Sequence, residues 1–141
     1  MELDFYGKTS TDILTELKRK SEGYNIKFKG TVSNDAKPKM FNSLDVFAFP
    51  SLVEGFGMPI LEAQAAGLPV IISDNGIIPN EVKKYCISEQ SEEDMASRFL
   101  DIYENGYDIK EAKRAFDYAH SFTWKKAAEK VLMVYEDTIN K

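Results

Sequence analysis

Two glutamates, Glu54 and Glu62, stand with seven residues between them in the segment PSLVEGFGMPILEAQAAGLPVI, residues 50–71. Glu54 falls in a loop beside Gly55 and Gly57, and Glu62 falls one to two turns inside a helix that starts near Met58. A carboxylate accepts two hydrogen bonds from a vicinal diol, as an acidic residue does for ribose in dinucleotide-binding folds. Glu62 has the chemistry to hold such a diol, and Glu54 could hold the hydroxyls of another polyol. The two glycines let a ligand approach the backbone closely. The start of the helix offers N–H donors and a partial positive charge, which suit a phosphate or an oxygen-rich ligand. Capping chemistry at a Gly-rich turn accounts for the same residue types, and spacing alone leaves both readings open.

The elements that must position these groups are legible from pattern and punctuation. Short apolar runs alternate with longer helical stretches, which predicts an α/β fold with a largely parallel, Rossmann-like sheet flanked by helices. Strands are expected at Leu3–Tyr6, Ile26–Lys29, Val46–Phe49 and Val70–Ser73, with a short one near Tyr85–Ile87. Helices are expected at Thr11–Lys20, Lys37–Ser43, Met58–Ala66, Pro79–Lys84, Glu92–Asn105 and Ile109–Ser121, and a last one from about Trp124 to Asn140. Pro59 suits a first helical turn, and Gly67 suits a left-handed helix end. Leu68-Pro69 imposes an extended entry into the next strand. Thr123 is placed to cap the last helix. On that helix Trp124, Ala127, Ala128, Val131, Leu132, Tyr135 and Ile139 recur at helical spacing, a stripe that normally belongs to a core. The strand Val46–Phe49 would deliver residues 50–58 to the carboxyl edge of the sheet, where open α/β folds bind ligands.

The totals narrow the function classes. The 141 residues, 43% hydrophobic and 29% charged, fit one globular domain with a sizeable core. A net charge of −5 argues against nucleic acid as a partner, and Lys18-Arg19-Lys20 reads as a solvated helix face. One cysteine, Cys86, excludes an internal disulfide and fits a reducing compartment; its apolar neighbours make it a buried strand residue rather than a nucleophile. With no signal-peptide pattern and no apolar run near membrane-spanning length, a soluble, cytoplasmic chain is expected. Three weaker signals carry little. GKTS at Gly7–Ser10 is similar to the end of a Walker A loop, but Glu2 stands where the motif needs glycine, and Lys8 reads as an exposed turn lysine. His120 has no partner at ligand spacing, so no metal site is expected. Tyr103, Tyr107 and Phe116 read as core or helix-packing aromatics.

Residues 50–71 resemble, almost position by position, the donor-sugar signature of the family 4 (group 1) retaining glycosyltransferases of the GT-B fold. In that family a Pro-Ser, a Glu, a Gly-Phe-Gly, a proline and a Glu-Ala pair recur with the same separation of glutamates. IKFKGTVSN, DVFAFPS and FTWKKAAEKVLMVYE extend the likeness over nearly the whole chain. The resemblance implies the C-terminal, nucleotide-sugar-binding half of a GT-B fold. Glu54, the candidate catalytic residue, would hold hydroxyls of the donor sugar, aided by Gly55 and by backbone N–H groups of Phe56, Gly57 and Met58. Glu62 would hold the ribose, and Thr31, Val32 and Ser33 would touch the base mostly through their backbone. Transfer would keep the anomeric configuration and need no metal or other cofactor, the nucleotide-sugar being the donor substrate.

Three departures qualify the match. Against the family pattern, these 141 residues are expected to lack the N-terminal acceptor domain and the opening strand whose loop in that family supplies an Arg and a Lys to the diphosphate. In DNGIIPNEV, Ile77 and Asn80 replace a glycine and a glutamate, which weakens any phosphate contact at Gly76. The expectation is therefore a UDP- or GDP-sugar-binding domain, inactive alone, that meets a glycan or lipid-linked acceptor through the absent half; any membrane association would belong to that half. In the strand order of the complete fold the absent strand is the central one, so Leu3–Tyr6 and Val46–Phe49 should flank a gap, as in an excerpt of a longer chain. The last helix would then expose some of Val131, Leu132 and Tyr135. A non-catalytic interaction module with the same fold is the alternative. A glycoside hydrolase using both glutamates as acid and base suits the positions less well, because one at a helix start and one within it favour diol binding.

Overall fold

A computed structural model describes residues 1–139 as two compact units, Met1–Ser43 and the residues from Leu44 onward. The end of the last helix expected at Asn140 lies outside the described residues. The first unit contains β1 (Leu3–Tyr6), α1 (Thr11–Lys20), β2 (Ile26–Gly30) and α2 (Lys37–Phe41). The two strands are parallel, with Leu3 opposite Ile26 and Phe5 opposite Phe28, and a shift of register after Phe5. The rings of Phe5 and Phe28 stack at 5.4 Å across the pair. Ser10 caps α1 by accepting from the Ile13 N–H at 3.4 Å. Asp12 in its first turn and Lys18, Arg19 and Lys20 in its last complement the helix dipole. The Glu16–Lys20 pair at 3.0 Å confirms that the basic run is a solvated face.

The second unit contains β3 (Phe47–Phe49), α3 (Met58–Ala65), β4 (Val70–Ser73), α4 (Asn80–Lys83), β5 (Ile87–Glu89), α5 (Glu92–Asn105), α6 (Ile109–Ala119) and α7 (Trp124–Ile139). Its sheet is parallel in the order β3-β4-β5. Phe47 to Phe49 run opposite Val70 to Ile72, and Ile71 to Ser73 opposite Ile87 to Glu89. Successive strand residues point to opposite faces, yet Val70, Ile71 and Ile72 are all buried, so β4 is covered on both sides. Ile60, Leu61 and Ala63 of α3, Ile78, and Val82 of α4 are also buried, and α3 packs against α6. Glu89 of β5 accepts from Arg98 Nε of α5 at 2.8 Å, which ties the edge strand to the following helix. The expectation of parallel α/β layers thus holds, although the described strands form two sheets rather than one. β1 pairs with β2 and β3 with β4, so each of the strands expected to flank a gap has a single neighbour.

Local chemistry explains the boundaries. α3 ends in a Schellman motif, in which the Gly67 N–H donates to Gln64 O at 2.9 Å and the Leu68 N–H to Ala63 O at 3.1 Å. Gly67 adopts the left-handed φ of 82° this requires. Thr123 accepts from the Lys126 N–H at 3.2 Å, as a cap of α7 should. Two expectations need correction. β5 begins two residues later than expected because the Cys86 N–H is used by the end of α4, donating to Lys83 O at 2.9 Å. Cys86 is therefore a half-buried turn residue before the strand, not part of it. Its Sγ accepts from Gln64 Nε2 at 3.5 Å, and burial pushes the thiol up to about 12, against an ordinary value near 9.

The second correction concerns exposed apolar groups. The α7 stripe is not core here: Trp124 is 88% exposed, Val131 52%, Leu132 55%, Tyr135 63% and Ile139 82%. The exposure of Val131, Leu132 and Tyr135 agrees with what the family resemblance implies for the closing helix. Tyr103 is 68% exposed and so is not a packing residue, whereas Tyr107 is half-buried. Phe116 is also exposed, with its ring 4.1 Å from that of His120. His120 itself places Nδ1 2.9 Å from Phe116 O at the end of α6.

Two outcomes follow for stability. Ile71→Ala should cost about 2–5 kcal/mol in urea titration, while Leu132→Ala should stay within about 0.5 kcal/mol. Cys86 should resist iodoacetamide at about pH 8.5 in the native state and be alkylated once urea unfolds the chain, since the thiolate is the reactive form.

Candidate functional site

β3 leads directly into the segment Pro50–Gly57, and α3 follows it, so the loop lies at the carboxyl end of a parallel strand in the second unit. The loop is anchored to a second loop that follows β4. Glu54 N–H donates to Ile77 O at 3.0 Å, and Ile77 N–H donates to Leu52 O at 2.8 Å. These bonds make a parallel bridge between Val53 and Ile77, an isolated extension of the strand pairing. Gly76 makes the approach feasible. It is buried, and a Cβ there would lie 2.6 Å from Ser51 O and 3.0 Å from Ser73 O.

The Glu54 side chain is half-buried and oriented. Ser51 Oγ donates to Glu54 Oε1 at 2.7 Å. The same hydroxyl lies 3.3 Å from Val53 O, but it carries one proton, and the shorter contact to a carboxylate takes it. Gly57 caps α3 with a left-handed φ of 91° and no side-chain hydrogen bond. A Cβ at Gly57 would sit 3.3 Å from both Ile60 Cδ1 and Val82 Cγ1, so this turn is closely packed from beneath. A Cβ at Gly55 would meet nothing within 4 Å, which leaves open space on that side of the loop. Among the described residues, the backbone N–H groups of Gly55, Phe56, Gly57 and Met58 donate to no protein acceptor. Phe56 packs edge-on against Phe122, with ring centroids 6.3 Å apart.

Glu62 stands one turn into α3, half-buried, between the buried pairs Ile60–Leu61 and Ala63–Gln64. The helix that carries it is apolar almost all round, so its axis is set by packing rather than by solvent-exposed pairs. Glu54, Gly55, Phe56, Gly57, Met58 and Glu62 therefore share one loop-and-helix segment. Thr31, Val32 and Ser33 follow the carboxyl end of β2 in the first unit, with Val32 half-buried and its neighbours exposed. Lys8 is exposed after β1, as expected. Sequence reasoning did not single out Ser51 or Phe122, and it weighed Gly76 and Ile77 only for a phosphate contact, not as the support of the Glu54 loop. Ser51 belonged to the recognised Pro-Ser pair, but only the fold shows which group its hydroxyl meets.

A loop at the carboxyl end of a parallel strand, with an oriented carboxylate, uncommitted N–H donors and a helix start, lies where open α/β folds place their ligands. Sequence comparison then assigns it: the chain belongs to the group 1 glycosyl transferases, whose family model matches residues 3–134. An uncharacterized glycosyltransferase of Methanocaldococcus jannaschii is 31% identical over 121 residues, covering 80% of this chain and 30% of that protein. The O-antigen chain mannosyltransferase B of Escherichia coli is 26% identical over 139 residues, covering 95% of this chain and 36% of that protein. Anabaena HepE in complex with UDP matches in structure with a TM-score of 0.81 at 19% identity, over 97% of this chain and 41% of that one. The fold is thus that of the GT-B glycosyltransferases, and the chain spans about a third of the length of the two curated relatives. None of the described helices is long and apolar enough to cross a membrane.

The packing at the two glycines gives contrasting expectations. Gly76→Ala should lower stability by about 1–3 kcal/mol, because its Cβ would overlap backbone atoms that cannot move without breaking the Val53–Ile77 bridge. Gly55→Ala should change stability by no more than about 0.5 kcal/mol. Urea midpoints of the two variants measure the difference.

Proposed function

We propose that this chain binds the nucleotide-sugar donor of a retaining glycosyltransferase. Glu54 holds hydroxyls of the donor sugar, joined by the N–H groups of Phe56, Gly57 and Met58. Glu62 holds the ribose diol. In the first unit, Thr31, Val32 and Ser33 are assigned to the base on the strength of the motif match alone. The observation that carries the reading is the Glu54 loop itself. In a chain of this family, it combines a carboxylate already oriented by Ser51 with consecutive N–H groups that have no partner among the described residues. An oriented acceptor beside free donors matches a polyol, whose hydroxyls both donate and accept.

The reading calls for no metal or other cofactor: backbone donors and the α3 N-terminus supply favourable interactions with the donor's negative charge. A UDP- or GDP-sugar is the proposed donor, and a glycan or lipid-linked acceptor the proposed second substrate. Acceptor recognition and transfer are assigned to the larger protein, since this chain corresponds to about a third of its relatives' length.

Calorimetric titration with UDP, GDP, UDP-glucose and GDP-mannose tests the assignment. Glu62→Ala should weaken nucleotide and nucleotide-sugar alike, by about 1–3 kcal/mol for lost hydrogen bonds to a charged group. Glu54→Ala should leave the free nucleotide unchanged and weaken the sugar-bearing donor. Equal losses for both ligands in both variants would overturn the division of roles, and no binding of any of the four would favour an interaction module instead.

A further inference from the structure

The Glu54 carboxylate has a second requirement besides being present: it must be held. A glutamate on a glycine-flanked loop has three free side-chain torsions and a mobile backbone, and here backbone and side chain are restrained by different contacts. The backbone is fixed through the Glu54 N–H to Ile77 O bond and the Ile77 N–H to Leu52 O bond. The place of Ser51 is made available by Gly76, since a Cβ there would lie 2.6 Å from Ser51 O. The Ser51 hydroxyl then reaches Glu54 Oε1 at 2.7 Å over a span of three residues. That bond occupies one acceptor position on Oε1 and leaves Oε2, with the rest of Oε1, to accept from another group. Ser51 and Glu54 are both half-buried, so water competes with the bond less than it would on an open surface.

We propose that Ser51 is a positioning residue for donor-sugar recognition, acting through the Glu54 carboxylate from a place that the missing side chain of Gly76 leaves open. The inference rests on the reading of Glu54 as the sugar-binding group. It adds that the orientation of the carboxylate, set by one serine hydroxyl, separates a sugar-bearing donor from the bare nucleotide. A serine that merely stabilised the loop would affect both ligands, because Gly57 and the start of α3 follow the same loop. A serine that orients Glu54 affects only the ligand that reaches that side chain, and only while the side chain is there.

The test is a double-mutant cycle on the whole chain, read by titration with UDP and UDP-glucose, or with GDP and GDP-mannose where that pair binds more tightly. Ser51→Ala should weaken the nucleotide-sugar about three- to tenfold, the worth of one hydrogen bond, and leave the nucleotide within twofold. Ser51→Thr, which keeps the hydroxyl, should restore the affinity. In a Glu54→Ala background, Ser51→Ala should have no further effect, since its partner is gone. Equal weakening of both ligands by Ser51→Ala, failure of Ser51→Thr to rescue, or a full additional loss in the Glu54→Ala background would overturn the proposal while leaving Glu54 in its role. An unchanged nucleotide-sugar affinity in Glu54→Ala, or no binding of either pair by the unsubstituted chain, would overturn the reading of Glu54 and this inference with it.

Discussion

Burial of β4 on both faces is the constraint on which the second unit depends. Val70, Ile71 and Ile72 are consecutive and all removed from water, which a strand permits only if something covers each side of the sheet. Because β4 is the middle strand, its register also fixes β3 on one side and β5 on the other. The loop that leaves β4 inherits this rigidity. Its Gly76 packs against Ser51 of the loop that leaves β3, and Ile77 bonds to that loop on either side of Val53. The position of Glu54 is therefore a consequence of a buried strand more than fifteen residues further along the chain.

What was legible in the sequence was mainly local. Pro59, Gly67 and Thr123 punctuate the helices where the sequence places them, and the structure adds Ser91 and Asp108 as caps that the sequence reading did not name. The Ser91 hydroxyl accepts from Asp94 N–H at 3.0 Å and the Asp108 carboxylate from Lys110 N–H at 2.8 Å. Helix positions were accordingly predictable to within a residue or two. The short strands were less so. β5 was displaced because the residues before it close the turn after α4 and cannot also join a ladder. A run of three residues, Tyr85-Cys86-Ile87, has the same apolar character whichever of these it does. The partition of the strands into a two-stranded and a three-stranded sheet depends on which edges meet, and no local residue preference encodes that.

The α7 helix shows a different limit. Its periodicity correctly reports an apolar face, but periodicity says nothing about what covers that face. The helix forms from Trp124 to Ile139 with the Thr123 cap the sequence suggests, yet Val131, Leu132 and Tyr135 remain more than half exposed. Capping and propensity act within the helix, whereas burial needs a second surface. The same distinction separates Tyr103, which lies on an exposed side of α5, from Ile102 beside it, which is buried. Adjacent residues on a helix face directions about 100° apart, so their aromatic or aliphatic character is a weaker guide than their place on the wheel.

The two glutamates of the motif reach their positions by unlike means, and this explains why one of them was easier to understand from sequence. Glu62 is carried by α3, whose ends are closed by Gly57 and by the Schellman turn at Gly67, and whose Ile60, Leu61, Ala63 and Gln64 are buried in the core. Spacing along a rigid helix is enough to place a side chain there. Glu54 sits on a loop with a glycine beside it, and spacing places nothing on such a loop. Its direction comes from Ser51, and the absence of a side chain at Gly76 leaves room for Ser51 to sit where it does. Ile77 is 71% exposed and contributes to the loop through its backbone N–H and C=O, which any residue but proline could supply. The steric demand falls on Gly76 beside it, so of these two neighbours one acts through the side chain it lacks and the other through its main chain alone.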